Sequence, residues 1–553
     1  MESVHGGQQV VDAARAAGVS TMFTLSGAHV FPVFDAAVGG KGAVQAAPDR
    51  KSAEEAGPIR LVDTRHEQTA AFAAEAMGKL TRTPGFAVVT AGPGVTNTVS
   101  AVSSAWFNGS PMVVLGGRAP TLRWGSGALQ ELDHVPILSS VTKRALTTSD
   151  PAAIRSDGDQ AFALAASAHM GPVFWDIPID VIFGPSPRQG PPTANPDRGA
   201  EPDPDAVSDA RQRLAEARHP VLVLGGGVWM GDAVDQARAL VAVRNLPVIA
   251  NGMGRGTIPA GDPHLVTRAR GAAFKGADLV IVVGAPLDFR LGYGTFGNPP
   301  APVIHLVDAE DQRSRATTVA TTLVGDLRTS LAALAEGPAA DESWVGTLRE
   351  AAAAAVAEDQ ALLGADCDPI HPARIYGELV PRLTDDAVVI GDGGDFVSFA
   401  GRFVEPRTPG RWLDPGPFGC LGTGPGYALA AGIAHPGAPL FLLMGDGAAG
   451  FSLMDVDSLV RHRIPVVMIV GNNAGWALEK HPMRMLYGYD VVADLAPTRY
   501  DEVVIALGGG GETVTGPEQI GPAIDRAMSS GIPYLVNVQT DPEAAYPRST
   551  LGI

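Results

Sequence analysis

The chain has 553 residues, 45% hydrophobic and 18% charged, a length and balance that suit a globular protein of about three or four domains. With 41 Lys and Arg against 59 Asp and Glu, its net charge of −18 argues against nucleic acid as a partner. Cys367 and Cys420 stand far apart, which argues against a zinc cluster or disulfide framework. Residues 1–11 lack the basic start and apolar run of a signal peptide, and no apolar stretch is long enough to span a membrane. The expectation is a cytoplasmic protein with no membrane partner.

Strand-like and helix-like segments alternate along the chain, which predicts an α/β fold with parallel sheets. The first block, 1–184, has strand signals at 18–25, 59–62, 85–90, 111–116 and 171–177. Gly27-Ala28-His29 follows the first of these, and Asp63-Thr-Arg-His-Glu67 joins the second to a helix over 68–80. Residues 185–204 are rich in proline and read as a linker. The second block, 205–335, has strands at 220–225, 246–250, 277–283 and 302–307, and its Gly225-Gly-Gly227 is too loose to count as a dinucleotide fingerprint. Residues 336–368 read as a helical connector, because 351–355 is a run of alanine, the strongest helix former.

The third block, 369–553, carries most of the glycine turns. Ile390-Gly-Asp-Gly-Gly-Asp-Phe396 ends a strand, and the glycine-dense 416–427 opens a helix at 428–433. A buried strand at 439–444 runs into Gly445-Asp446-Gly447 and a helix over 451–463. A second strand at 464–470 then runs into Gly471-Asn472-Asn473-Ala474-Gly475. Two parallel strands joined by a helix bring both loops to one carboxyl edge, where α/β sheets bind ligands. A carboxylate from Asp446, an amide oxygen from Asn473 and a loop carbonyl at Gly475 form an all-oxygen site suited to Mg²⁺ and diphosphate oxygens. A lone Gly-Asp-Gly is usually only a turn. Here the second loop and both flanking strands point to a metal.

This pair of loops resembles the signature of thiamin diphosphate (ThDP) enzymes. The three blocks are similar to the pyrimidine-binding, central and diphosphate-binding domains of that family, which implies three doubly wound parallel-sheet domains. The resemblance implies Gly445, Asp446, Gly447, Ala448, Asn473 and Gly475 around the diphosphate, with Asp446, Asn473 and Gly475 holding Mg²⁺ and with Gly393, Gly394 and Asp395 beside them. It also implies that the Gly419 carbonyl and Leu421 amide meet the pyrimidine edge, with the Leu421 side chain bending the cofactor into a V. Glu67 would exchange a proton with the pyrimidine N1′. Taken without the resemblance, Glu67 reads equally well as a first-turn helix residue favoured by the dipole.

Thr90-Ala-Gly-Pro-Gly-Val-Thr-Asn97 and residues 111–117 resemble patterns of the acetolactate synthase branch, which includes oxalyl-CoA decarboxylase, 2-hydroxyacyl-CoA lyase and benzaldehyde lyase. Gly27-Ala28-His29 and Leu129-Gln130 resemble benzaldehyde lyase, implying that His29 and Gln130 relay protons at a substrate hydroxyl, with Ala28 beside them. Trp476 and Glu479 fall where this branch shapes its substrate pocket, although a core aromatic and a solvated Glu-Lys pair explain them too. In the central block, Asp308 ends a strand where an acidic residue accepts ribose hydroxyls, and Arg255, Arg268, Arg270 and Arg290 offer donors to phosphates. Individually, four arginines are ordinary. ADP or CoA is the expected ligand there, and FAD is less expected.

The expected reaction is C–C lysis or carboligation on a small 2-hydroxyacyl-CoA or 2-oxo acid. 2-Hydroxyacyl-CoA lyase, or the reverse acyloin condensation, comes first, and an acetolactate synthase-type carboligase acting on pyruvate is the alternative. The chain stops soon after Arg548, short of the tail that CoA-linked relatives carry, which speaks against CoA. A non-catalytic ThDP-binding homologue is the reading of another class. The resemblance implies a homodimer or homotetramer whose active sites are shared between chains.

Overall fold

The computed structural model describes residues 3–187, 190 and 194–547; parts of the expected linker and of the C-terminal end lie outside them. Three all-parallel sheets are flanked by helices. The first runs in the order Arg60–Asp63, Thr21–Thr24, Gly85–Val89, Met112–Arg118, Pro172–Pro178, Arg144–Thr147. The second runs Val248–Ala250, Pro220–Leu224, Leu279–Val283, Val303–Val307, Val319–Val324. The third runs Trp412–Leu413, Val388–Asp392, Leu440–Gly445, Val467–Asn472, Tyr534–Gln539, Gly510–Val514. A short antiparallel pair, Ser3–His5 with Pro185–Pro187, ties the start of the chain to a segment expected to be linker. Among the described residues, no helix is long and apolar enough to cross a membrane.

Successive residues of each inner strand feed different cores, as the two-residue strand period requires. In the first sheet Met22, Phe86, Val88 and Val113 pack to one side, with helices of that domain. Phe23, Ala87, Val89 and Val114 face the other way. In the third sheet Val389, Phe441, Leu443 and Ile469 likewise have a core of their own. Their neighbours Ile390, Leu442, Met468 and Val470 join the same cluster as Phe23 and Val89. The first and third sheets therefore share one core, built around the helices Glu67–Thr81 and Gly424–Ala434. These helices cross closely, since a Cβ on Gly426 would stand 2.8 Å from the Thr69 carbonyl oxygen. Lys79 and Glu75 form a buried ion pair at this junction, with Lys79 also donating to the Tyr427 hydroxyl.

The helix expected over 451–463 is interrupted. Asp446–Ser452 is helical, Leu453–Asp455 is a tighter turn, and Val456–Arg461 resumes the helix. The connector forms the helix Glu342–Leu363.

Candidate active site

Strands Leu440–Gly445 and Val467–Asn472 are neighbours with Gly445 opposite Gly471, so the two turns that follow them emerge side by side. Asp446 is 2% exposed; its Oδ1 accepts from Gly447 N at 2.9 Å and its Oδ2 from Gly475 N at 3.1 Å. Burial pushes this carboxyl up to about 6, against an ordinary value of 3.8. A carboxylate buried among neutral amides lacks a counter-charge. A divalent cation beside half-buried Asn473 would supply it, so the donor set fits Mg²⁺. Trp476 packs on this turn; a Cβ on Gly447 would come within 2.4 Å of its ring, and Phe451 meets the same ring edge-on. Trp476 thus forms the floor of the Gly445–Gly447 turn, and Glu479 lies exposed in the first turn of the next helix.

Gly393, at φ +134°, passes so near this turn that a Cβ there would lie 3.2 Å from Gly445 N and 3.4 Å from the Ala448 methyl. A Cβ on Gly394 would collide with Leu478, and Asp395 turns one carboxylate oxygen to Tyr546 N. Just before them, fully buried Asp392 accepts from Gly422 N at 3.0 Å and Gly424 N at 2.7 Å, and burial pushes its carboxyl up to about 7. Asp392 thereby anchors the glycine loop that exposes Gly419 and half-buries Leu421.

The other half of the site lies on the first sheet. Glu67 is the first residue of its helix, 9% exposed, and its Oε2 accepts from Asn97 Nδ2 at 3.0 Å. His29 is 6% exposed and its Nδ1 lies 3.0 Å from Thr90 Oγ1, which in turn donates to Gln130 Oε1 at 3.3 Å. Burial, with His134 nearby, lowers the pKa of His29 and keeps its imidazole neutral at working pH. Ala28 is exposed beside it. Glu67, His29 and Gln130 therefore converge on one loop, 90–97.

A cavity of about 800 Å³ opens where the central domain meets the other two. Gly225, Gly227, Arg290, Lys143, Phe418 and Asp308 are among the residues lining it. Asp308, expected to accept ribose hydroxyls, accepts from His169 Nδ1 at 2.9 Å. Arg255 does not line the cavity. Its guanidinium donates to the Gly401 and Val404 carbonyls and pairs with Glu405, bracing the central domain against the third. Arg268 pairs with Asp359 and Arg270 donates to the Arg290 carbonyl. Of the four expected arginines only Arg290 reaches the cavity wall, and Asp288 holds its guanidinium.

Three family models match in chain order: the thiamine pyrophosphate enzyme N-terminal TPP binding domain over residues 4–137, the central domain over 207–334, and the C-terminal TPP binding domain over 392–538. The chain belongs to the thiamine pyrophosphate (ThDP) enzymes. It is 47% identical to a probable acetolactate synthase of Mycobacterium bovis, over 99% of this chain and 98% of that one. It is 35% identical to 2-hydroxyacyl-CoA lyase 2 of Mus musculus, over 92% and 84%, and 34% identical to that of Homo sapiens, over 97% and 90%. It is a ThDP-dependent carbon–carbon lyase or carboligase of this branch.

Several groups that bond to these candidate residues in the ThDP enzyme were not expected from its sequence. Thr90 and Asn97 lie within a quoted motif, whose polar positions were the available signal. His134 and Asp176 form a fully buried pair in which His134 Nε2 accepts from Gly92 N, fixing the 90–97 loop; only the fold reveals it.

Proposed function

We propose that this ThDP enzyme uses Mg²⁺ and cleaves a 2-hydroxyacyl substrate to an aldehyde or ketone plus a one-carbon acyl fragment, with 2-hydroxyacyl-CoA lyase chemistry or the reverse acyloin condensation as its reaction. The observation that carries this reading is the His29–Thr90–Gln130 chain beside Glu67. A neutral imidazole can take the proton of a substrate hydroxyl and return it, and Gln130 can orient that hydroxyl through Thr90. Glu67 would exchange a proton at the pyrimidine edge, Asp446, Asn473 and Gly475 would hold the metal, and Gly393, Gly394 and Ala448 would bound the diphosphate. Bound ThDP supplies the electron sink for the carbanion that C–C cleavage leaves behind.

A second reading, a decarboxylating carboligase acting on pyruvate, is favoured by the 47% identity to a protein named a probable acetolactate synthase. Incubation with pyruvate and, separately, with formyl-CoA plus an aldehyde, followed by mass spectrometry, separates the two. Acetolactate from pyruvate alone would overturn the first. The cavity beside Asp308 suits a nucleotide, ADP or CoA ahead of FAD, with Arg290 in place of Arg255, and Lys143, as cations on its wall. We assign the shared-site homodimer, and its pairing into a tetramer, to the same proposal.

A further inference from the structure

We propose that Asp455 is a positioning residue for Glu67, gripping the chain on both sides of it from the opposite domain. The inference rests on the reading of Glu67 as the proton-exchanging carboxyl. Asp455 ends the tight turn that follows the metal-loop helix and is 2% exposed. Its Oδ1 accepts from Arg65 N at 2.7 Å, two residues before Glu67. Its Oδ2 accepts from Thr69 Oγ1 at 2.7 Å, two residues after Glu67. Ser458 Oγ, on the same side as Asp455, donates to Oδ1 at 2.9 Å and fixes the rotamer.

One carboxylate thus spans the start of the Glu67 helix. Its two diverging oxygens meet donors that one neutral acceptor would not satisfy together, and charge-assisted bonds are the stronger kind. Other side-chain bonds from the opposite domain meet Asp63 and Arg65, before Glu67, while the His66 ring accepts from Gln68 N within the turn itself. Arg461 and His462 reach Asp63, and Thr64 Oγ1 bonds within the turn. Burial raises the Asp455 carboxyl above its ordinary range, so the fold holds this group at an energetic cost. That cost has a purpose if the position of Glu67 matters, because a misplacement of about 1 Å at a reacting group can lower a rate about a hundredfold.

The test uses the ThDP- and Mg²⁺-loaded enzyme and reads hydrogen–deuterium exchange at C2 of the bound cofactor, alongside ThDP affinity and thermal midpoint. Thr69→Val removes one grip without changing side-chain shape, Asp455→Asn leaves one oxygen for the three donors Arg65 N, Thr69 Oγ1 and Ser458 Oγ, and Thr69→Ser restores the hydroxyl. Thr69→Val and Asp455→Asn should slow exchange about tenfold or more with ThDP affinity within about twofold of the parent, and Thr69→Ser should exchange as the parent does. Unchanged exchange in the first two variants, where Glu67→Gln does slow it, overturns the inference alone. Slowing that tracks loss of ThDP affinity and thermal midpoint overturns it too, since Asp455 would then serve only packing. Unchanged exchange in Glu67→Gln overturns the role of Glu67, and this inference with it.

Discussion

The Glu67 carboxylate accepts from Asn97 at the mouth of the first sheet, and an amide in its place keeps the size of the group while removing its proton chemistry. Glu67→Gln should therefore retain ThDP and fold normally while turnover falls roughly 10²–10⁴-fold, as steady-state kinetics and bound-cofactor assay can show. At the other end, the folded, metal-free chain keeps the Asp446 proton up to about 6, whereas the unfolded chain releases it near 3.8. This group's stabilising contribution is full below the lower value and is lost as pH rises through the upper one. A Mg²⁺ held there would bind the ionised form, so the rise in thermal midpoint on adding Mg²⁺ should be larger at about pH 8 than at about pH 5. An equal rise at both would remove Asp446 from the metal site. The sequence marks these two carboxylates as candidates because each sits inside a local motif. It does not mark Asp455 and Asp392, because the donors they serve lie 390 and about 30 residues away and no short pattern joins them.

The strands that the sequence displayed most clearly are inner ones, such as Gly85–Val89 and Leu440–Gly445, buried on both faces and hence continuously apolar. Unanticipated strands lie mostly at sheet edges. Arg144–Thr147, Val319–Val324 and Gly510–Val514 are half-exposed and mixed in character, and Trp412–Leu413 is two residues long. The helix over 451–463 carries the correct apolar spacing, yet it breaks where Ser452 leaves helical geometry, which lets Asp455 turn toward the Glu67 helix. At the crossing of Glu67–Thr81 with Gly424–Ala434, two of the three atoms nearest a Cβ on Gly426, Thr69 O and Ala73 N, are backbone, and the third is the Phe72 Cβ, so none gives way easily. Gly426→Ala should destabilise the protein by about 1–3 kcal/mol, and differential scanning calorimetry should record the lower midpoint. An unshifted midpoint would mean that the crossing relaxes at no cost.

Within each chain Glu67 and Asp446 sit on different sheets, each at a carboxyl edge. If a two-fold partner completes each site, Glu67→Gln and Asp446→Ala chains, each inactive alone, should regain activity when co-expressed, because a mixed dimer holds one site with both native halves. Proven mixed dimers without activity would place each site within one chain. The parallel α/β layering was legible from the alternation of elements, whereas the cavity among the domains was not. Arg255 stands near it in sequence, yet its guanidinium is consumed by the carbonyls of residues 401 and 404.

The core shared by the first and third sheets also bears on how the chain is made. Helix Glu67–Thr81 presents Phe72 and Ala73 to a cluster that is finished only by residues from Val388 to Leu535. At about 5–20 residues per second, a ribosome needs tens of seconds to deliver that second half. Throughout that interval the nascent first domain carries an apolar face with nothing of its own to cover it, and loop-closure entropy delays the late contacts further. The burden of keeping the young chain from sticking to its neighbours thus falls on the cell's chaperones until the last sheet emerges.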